Sequence, residues 1–280
     1  MKKEQLLGTA RDPHFIPGIH KYCDRWCERC EFTQRCLNYA SLDEDDNSHG
    51  SKTEINGVEF SDKTSKRLAL AIALLKDVAR KRGVDLDAID TVDVSGEEEA
   101  KHSEADSHEL AVMSMEYAQS TGRWFKANDQ LFARKREELL RAAALDLPGA
   151  NPEEQASDLK ESIEVVRWYQ FQIHVKLLRA LMADDFDALD DGPSDADGSA
   201  KVALIGVDRS LAAWSVLLAY FPEAQDDILD FPAALERIRR ITERTFPGAR
   251  SFVRPGFDTQ DASWAESAEL FGIDETRPMT

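Results

Sequence analysis

Residues 202–221 read VALIGVDRSLAAWSVLLAYF, an apolar run with one charged pair, Asp208 and Arg209, near its centre. The run is about as long as a membrane span, but inserting a charged residue into a bilayer costs about 2.5–3.5 kcal/mol. The run has no strand-like alternation and stops at Pro222, as a helix would. We therefore expect a buried helix at the centre of a soluble all-α protein.

A second segment has the same character. Residues 165–171 read VVRWYQF and belong to a segment that we expect to be helical from Asn151-Pro152-Glu153-Glu154 to Met182. Pro at the first helical position and Glu three residues after a polar cap are typical of a helix start. Since both helices are apolar on nearly every side, we expect both in the middle of a helical bundle.

The other periodic segments are also helical in pattern. Apolar residues recur at helical spacing over Lys63–Arg82, over Ser107–Leu145 and over about Pro232–Thr245. Only Thr53–Phe60 could form a short hairpin. The predicted fold is all-α, a helical bundle of four long helices plus a short fifth, with a small N-terminal Cys-rich metal-binding cap.

The negative charge indicates where the helices are connected. The formal net charge is -18, and residues 41–60, 91–108 and 183–200 carry six, six and seven acidic residues. Such runs are typical of solvated loops. The predicted domains are a four-cysteine metal-binding cap at 1–40, an acidic linker at 41–62, and a helical bundle at 63–245 with crossover loops at 91–108 and 183–200. An irregular tail follows at 246–280. We expect this tail to dock on the bundle through its aromatic residues Phe252, Phe257, Trp264 and Phe271.

The charge also argues against two classes of partner. Binding to duplex DNA or to an anionic membrane requires a concentrated positive surface, and the chain offers only the short basic stretch Arg134-Lys135-Arg136. We therefore expect no membrane partner, consider a nucleic-acid partner disfavoured and keep a protein partner open. The N-terminus has no apolar core of a signal peptide, which favours a cytoplasmic location.

All four cysteines of the chain lie within fourteen residues, at Cys23, Cys27, Cys30 and Cys36. In a reducing cytosol such clustering favours a metal site over disulfides. Thiolates select zinc or an iron–sulfur cluster. The intervening Arg25, Arg29 and Arg35 would stabilise thiolates and offset part of their charge. The sequence therefore predicts a shared centre held by Cys23, Cys27, Cys30 and Cys36.

The spacing of the cysteines bears on which metal is bound. On one unbroken helix, the Cα atoms of Cys23 and Cys30 would be about 10.5 Å apart. A tetrahedral zinc holds its sulfurs about 3.8 Å apart, whereas a cubane spreads its thiolates more widely. Short gaps between cysteines are also typical of iron–sulfur proteins. We therefore favour a [4Fe-4S] cluster, with zinc as the alternative if the backbone breaks around Trp26.

The triplet Cys23-x3-Cys27-x2-Cys30 has a spacing that is similar to that of radical S-adenosylmethionine enzymes. That resemblance implies an open coordination position on one iron and a partial β/α barrel around the motif. Here Cys36 supplies a fourth thiolate, and the strands of such a barrel are not predicted. The sequence therefore favours a centre with four protein ligands, suited to redox sensing, electron transfer or structural support. His20 is an alternative ligand.

Charged residues within the apolar helices are the other candidates. Buried ions are rarely left without a partner, so Arg167, His174, Asp208 and Arg209 indicate either a structural network or a polar pocket for a small anionic or acidic ligand in the bundle core. The Glu-x-x-His pairs of a di-iron bundle are absent from the helices. No motif for nucleophilic or nucleotide-dependent catalysis is present.

Three functions follow from these patterns. The leading interpretation is a cytosolic protein with an N-terminal [4Fe-4S] cluster used for redox sensing, electron transfer or structural support. The alternatives are a zinc-stabilised helical adaptor without redox activity, and an enzyme with a polar pocket in the bundle core. The sequence does not decide whether the protein is an enzyme.

Overall fold

A computed structural model describes residues 12–40, 95–145, 151–183 and 194–258, with a few helical positions between 69 and 80. Within these residues the chain is 81% helical and contains no strand. The predicted all-α class is therefore confirmed. The predicted hairpin at Thr53–Phe60, the acidic linker 41–62 and most of the predicted helix Lys63–Arg82 lie outside the described residues.

Six long α-helices have defined bounds within the described residues, and residues 37–40 are also helical. The six long helices are α1 Ser95–Ser107, α2 Glu109–Ala127, α3 Asp129–Leu145, α4 Pro152–Leu181, α5 Asp195–Tyr220 and α6 Gln225–Thr245. Short 3-10 turns precede them at Ile19–Tyr22, Cys27–Arg29 and Thr33–Arg35, and another lies at Pro222–Ala224.

The chain divides into two compact units. One comprises Met1–His20 and Cys27–Glu98, and the other comprises Lys21–Trp26 and Glu99–Thr280. In the second unit, which we call the helical body, α4 packs against α2, α3 and α5, while α6 packs against α2 and α5. The six residues Lys21–Trp26, which include the first cysteine, belong to the helical body.

The closest helix pair is α4 and α5, and Gly206 permits their approach. A Cβ atom at Gly206 would lie 2.9 Å from Cδ1 of Tyr169 and 3.1 Å from Cγ1 of Ile173. Both neighbours are fully buried. A side chain at this position would therefore push the two helices apart or displace the tyrosine ring.

The core of the helical body is rich in aromatic side chains. Trp214 on α5 stacks on Phe231 of α6 with ring centroids 4.3 Å apart, and its edge meets Trp124 of α2. The indole N–H of Trp214 donates to the hydroxyl of buried Tyr117 at 3.1 Å. Burial raises the pKa of Tyr117 to about 12, since the phenolate would be the costlier form to bury. Aromatic packing thus joins α2, α5 and α6.

The prediction of one helix over Ser107–Leu145 is wrong, because the helix is interrupted at Asn128. The backbone N–H and the side-chain amide of Asn128 both donate to the carbonyl of Trp124. The carbonyl of Asn128 in turn accepts from the N–H groups of Leu131 and Phe132. Asn128 therefore ends α2 and begins α3, as the hydrogen-bonding side chain of asparagine favours.

Two acidic segments predicted as crossover loops are partly helical, so those predictions are corrected. Within 91–108, residues Ser95–Ser107 form α1, whose Glu, Ala and Lys residues favour a helix despite the negative charge. Within 183–200, α5 already begins at Asp195. The Ser194 side chain accepts from the N–H of Asp197, and the acidic residues of this first turn suit the positive end of a helix.

The last helix and the tail also differ in extent from the prediction. The helix α6 begins at Gln225 and carries Pro232 inside it, instead of starting there. In the predicted tail 246–280, Phe252 is buried against Tyr22 and Val202. Phe257 lies under the guanidinium of Arg254. Trp264 and Phe271 lie outside the described residues.

The two apolar helices are not buried equally. On α4 the side chains of Phe171 and Val175 are 48% and 53% exposed, so the expectation that this helix is buried on nearly every side is wrong. Helix α5 is long and apolar enough to cross a membrane by length and composition alone. Half of its most apolar window is buried within the fold.

Candidate functional site

The backbone breaks between the first two cysteines. Cys23 follows the 3-10 turn Ile19–Tyr22, and the residues from Asp24 to Trp26 are not helical. Arg25 has a φ of 61°, in the left-handed region that interrupts a helix. Cys27 then opens the next short turn. The preference for a cubane depended partly on one unbroken helix through Cys23 and Cys30, and this helix is absent. The Cα spacing along such a helix therefore no longer argues against a tetrahedral zinc.

Short turns also position the other cysteines. The N–H of Cys30 donates to the carbonyl of Cys27, and the N–H of Cys36 donates to the carbonyl of Thr33. All four cysteine side chains are half-buried. Thiols on such turns have the partial exposure that metal binding or thiol chemistry requires.

A loop closure steadies the unit that contains Cys27, Cys30 and Cys36. The N–H of Ile16 donates to the carbonyl of Arg35, and a ring nitrogen of His14 lies 3.0 Å from the carbonyl of Gln34. The Arg35 guanidinium donates back to the carbonyl of His14. These contacts bring the residues before the cysteines beside Cys36. His20, the alternative ligand, is half-buried.

The donor set fits a soft metal chemically, since thiolates are the preferred ligands of zinc and of iron–sulfur clusters. The described residues nevertheless contain no group of three or more His, Cys, Asp or Glu side chains arranged to hold a metal ion.

Side chains of α4 hold the backbone around Cys23. The indole N–H of Trp168 and the side-chain amide of Gln172 both donate to the carbonyl of Asp24, each at 3.1 Å. Further along α4, Arg179 donates to the carbonyl of Lys21 at 2.9 Å. These contacts satisfy carbonyl groups that an irregular segment cannot pair by itself. We call Lys21–Trp26 the docked segment.

Aromatic contacts secure both ends of the docked segment. Trp26 stacks on Trp168 with ring centroids 5.0 Å apart. At the other end, the hydroxyl of Tyr22 donates to Asp195 at 2.9 Å, and the same carboxylate accepts from Arg179. The docked segment is therefore fixed on both sides of Cys23.

The carboxylate of Asp24 joins the docked segment to both α4 and α5. It accepts from the hydroxyl of Tyr169 and, at 3.0 Å, from the guanidinium of Arg209. Tyr169 is fully buried. Burial raises the pKa of Tyr169, and the neighbouring Asp24 carboxylate raises it further. The tyrosine therefore stays protonated and donates to Asp24.

A buried amine lies under the docked segment. Lys176 on α4 is only 5% exposed, and its ammonium donates to the carbonyl of Lys21 at 3.4 Å. Burial lowers the pKa of Lys176 to about 8, although the negative charge of a Cys23 thiolate favours the ammonium form. The side chain thus brings positive charge close to the first cysteine.

The four polar residues predicted in the bundle core take part in separate contacts. Arg209 contacts Asp24 and Tyr169, whereas Asp208 pairs with Arg250 at 2.6 Å. His174 meets the hydroxyl of Ser114 at 3.0 Å. Burial lowers the pKa of His174, which favours its neutral form.

Arg167 is the fourth of these residues, and its guanidinium lies over the ring of Phe125 at 4.9 Å. Its side chain lines a surface cleft together with residues of α2 and α3. The structure thus links Arg209 to the cysteine segment and places Arg167 at a cleft, while Asp208 and His174 have structural partners.

Sequence reasoning missed Asp24, which accepts hydrogen bonds from four side chains of α4 and α5. Its position next to Cys23 was a signal, because a residue that positions a ligand often adjoins it in sequence. Trp168, Gln172 and Arg179 were also missed. Their spacing places them on one side of α4, which a search for polar partners of the docked segment would have found.

No protein-family profile, curated protein or solved structure matches this chain. The site therefore has to be interpreted from its own residues.

Proposed function

We propose that the protein is a cytosolic metal-binding protein in which Cys23, Cys27, Cys30 and Cys36 hold one shared centre. The observation that carries the proposal is that the only four cysteines of the chain lie within fourteen residues. The docked segment adds support, since three α4 side chains and one ion pair fix the backbone around Cys23. Such second-layer contacts are typical of residues that support metal ligands.

In this proposal the ligands gather as the metal binds. Small cysteine-rich sites commonly assemble together with their metal, because the free energy of binding offsets the ordering of the ligands. Cys27, Cys30 and Cys36 lie on short turns, which rearrange at lower cost than a long helix. Cys23 supplies a fixed starting point on the helical body.

The proposal includes a bundle and a cap. The long helices α2, α4, α5 and α6 contact one another in a ring, with pairs α2–α4, α4–α5, α5–α6 and α6–α2. Such a cyclic arrangement supports a four-helix bundle, although its fourth member is α6, which the sequence predicted as the short fifth helix, and not the predicted helix Lys63–Arg82. The N-terminal residues around Cys27, Cys30 and Cys36 would form the Cys-rich cap.

The centre is either a [4Fe-4S] cluster or zinc. Short gaps between the cysteines favour the cluster. The break at Arg25 removes one argument against tetrahedral zinc. A cluster would serve redox sensing, electron transfer or structural support, and zinc would stabilise a cap that docks a protein partner.

The experiment is metal and sulfide analysis of protein purified without oxygen, with Cys27→Ser and Glu28→Gln variants prepared in parallel. Glu28 is an exposed neighbour in the same short turn, so its variant controls for local disturbance. We expect about one centre per chain in the natural protein and in Glu28→Gln, and a loss of metal in Cys27→Ser.

The two metals are distinguished in the same sample. Iron and inorganic sulfide in equal amounts, with a brown colour that fades on oxidation, identify the cluster. One zinc per colourless chain identifies the adaptor alternative, in which no electron is exchanged. Substoichiometric metal in the natural protein, or full retention of metal in Cys27→Ser, contradicts the proposal.

A further inference from the structure

A surface cleft of about 370 Å³ lies between α2, α3 and α4, away from the cysteines in sequence. Its lining consists of Gly122, Phe125 and Lys126 of α2, Asp129 of α3, and Arg167 and Gln170 of α4. A volume of this size falls within the range of small-molecule sites. All six residues belong to the helical body.

Three of the lining residues carry charges that the fold itself does not use. Within the described part of the chain, Lys126, Asp129 and Arg167 form no ion pair with another described residue, although other charged residues of α3 and α4 do. Two positive charges and one negative charge therefore face the same small space. The cleft thus departs locally from the net charge of -18 that the whole chain carries.

The guanidinium of Arg167 is held in place without being neutralised. It lies 4.9 Å from the centroid of the Phe125 ring, a distance at which a cation is attracted to an aromatic face. The contact leaves the N–H groups at the edge of the guanidinium available for a carboxylate, which arginine binds through two parallel hydrogen bonds.

Gln170 supplies a polar group that lacks a partner. Its side-chain oxygen is buried and accepts no hydrogen bond from any described residue. That oxygen would lie 3.9 Å from a Cβ atom on Gly122, so it stands beside the glycine that lines the cleft. A buried acceptor without a donor is costly, and a ligand with an N–H group would remove that cost.

Gly122 itself has no structural reason to be glycine. A Cβ atom there would meet only the Gln170 oxygen, at an ordinary contact distance, and the residue lies inside helix α2, where glycine weakens a helix. At Gly206, in contrast, the neighbours leave no room for a side chain. Gly122 lines the cleft, so a large side chain at this position would occupy part of it.

We propose that this cleft binds a free α-amino acid or a zwitterion of similar size. The ligand carboxylate would pair with Arg167 and Lys126, and its ammonium would face Asp129 and donate to Gln170. A simple anion would leave Asp129 and Gln170 without partners, whereas a zwitterion satisfies both signs of charge. The site is independent of the metal centre proposed at the cysteines.

The test is thermal unfolding of the full chain with each of the twenty amino acids in turn, and with sodium acetate as the anion-only probe. At a concentration ten times its dissociation constant, the preferred amino acid should raise the Tm by about 2–5 °C. Titration of that amino acid by calorimetry then gives its affinity for the variants.

Two matched pairs of variants locate the binding. Arg167→Gln should weaken binding about tenfold or more, while Arg123→Gln, which alters an exposed arginine of α2 outside the cleft, should not change it. Gly122→Leu fills the cleft and should abolish binding. Gly122→Ala adds one methyl group in ordinary contact and should retain binding, which shows that loss in the leucine variant comes from filling the cleft.

The proposal is overturned if no amino acid raises the Tm of the natural chain. It is also overturned if acetate stabilises the chain as much as the best amino acid, or if both Arg167→Gln and Gly122→Leu bind with unchanged affinity.

Discussion

Replacing Asp24 by Ala removes the one carboxylate that links the docked segment to both α4 and α5. Tyr169 would lose the acceptor of its buried hydroxyl, and a hydrogen bond to a charged group contributes about 1.5–3 kcal/mol. The ion pair with Arg209 adds less than about 1 kcal/mol, because the arginine side chain is 56% exposed. We expect Asp24→Ala to lower the free energy of unfolding by about 2–4 kcal/mol.

A double-mutant cycle separates the Asp24–Tyr169 contact from other effects of the substitution. Urea unfolding, followed by circular dichroism, gives the free energy of unfolding for Asp24→Ala, Tyr169→Phe and the double variant. We expect a coupling energy of at least about 1 kcal/mol, since the two groups share a buried hydrogen bond. Tyr220→Phe, which alters a half-buried tyrosine elsewhere on α5, serves as the control and should show no coupling with Asp24→Ala.

A local measurement distinguishes detachment of the docked segment from unfolding of the helices. Hydrogen exchange of the amides in 21–26 should accelerate in Asp24→Ala, while exchange in α5 changes less. A coupling energy within about 0.5 kcal/mol of zero, with unchanged exchange in the docked segment, would refute the role that we assign to Asp24.

Three further predictions concern the helical body. The pKa of Tyr117 is raised to about 12 from an ordinary value near 10, so its contribution to stability is present below pH 10 and is lost as the pH rises toward 12. Between pH 9 and pH 11 the free energy of unfolding should therefore fall by about 1 kcal/mol more in the natural chain than in Tyr117→Phe. Equal losses of the two proteins in urea unfolding would contradict the buried hydroxyl. Gly206→Ala should lower the free energy of unfolding by about 1–3 kcal/mol through overlap with Tyr169, and an unchanged thermal midpoint would show that α4 and α5 are not so closely packed. Asp208→Ala should cost less than about 1 kcal/mol in the same assay, because its pair with Arg250 is half-exposed, and a larger loss would indicate a buried network.

The sequence was sufficient to predict the helical class and the main core helices. Pro152 after Asn151 marked the start of α4, and the helix ends at Leu181, one residue before the predicted end. The apolar run 202–221 falls almost entirely within α5, whose buried side chains include Trp214 and Leu217. These predictions succeeded because apolar periodicity and capping residues act locally, within one or two turns of the residues concerned.

Boundaries set by competing local interactions were harder to predict. The acidic residues at Asp195 and Asp197 look like loop residues by composition, yet they occupy the first turn of a helix, where negative charge is favourable. At Asn128 a single side chain ends one helix and begins the next, and composition alone does not distinguish it from an internal asparagine.

Of the candidate site, the sequence predicted the four cysteines but not the residues that contact the docked segment. The spacing of the cysteines is visible in the sequence, but the partners of the docked segment lie far along the chain, with Asp24 and Arg209 separated by 185 positions. No periodic pattern connects residues at such a distance. The sequence predicted either a structural network or a core pocket around Arg209, and the structure pairs it with Asp24, the neighbour of the first cysteine, which the sequence did not indicate.

The docking of Lys21–Trp26 on α4 and α5 has a consequence for how the chain is made. The side chains that fix these six residues, from Trp168 to Arg209, are translated 144 to 185 positions after Asp24. At a synthesis rate of about 5–20 residues per second, that delay is on the order of ten to forty seconds. During that interval the docked segment lacks these tertiary contacts, so the protection of the Cys23 thiol from oxidation depends on the compartment in which translation takes place.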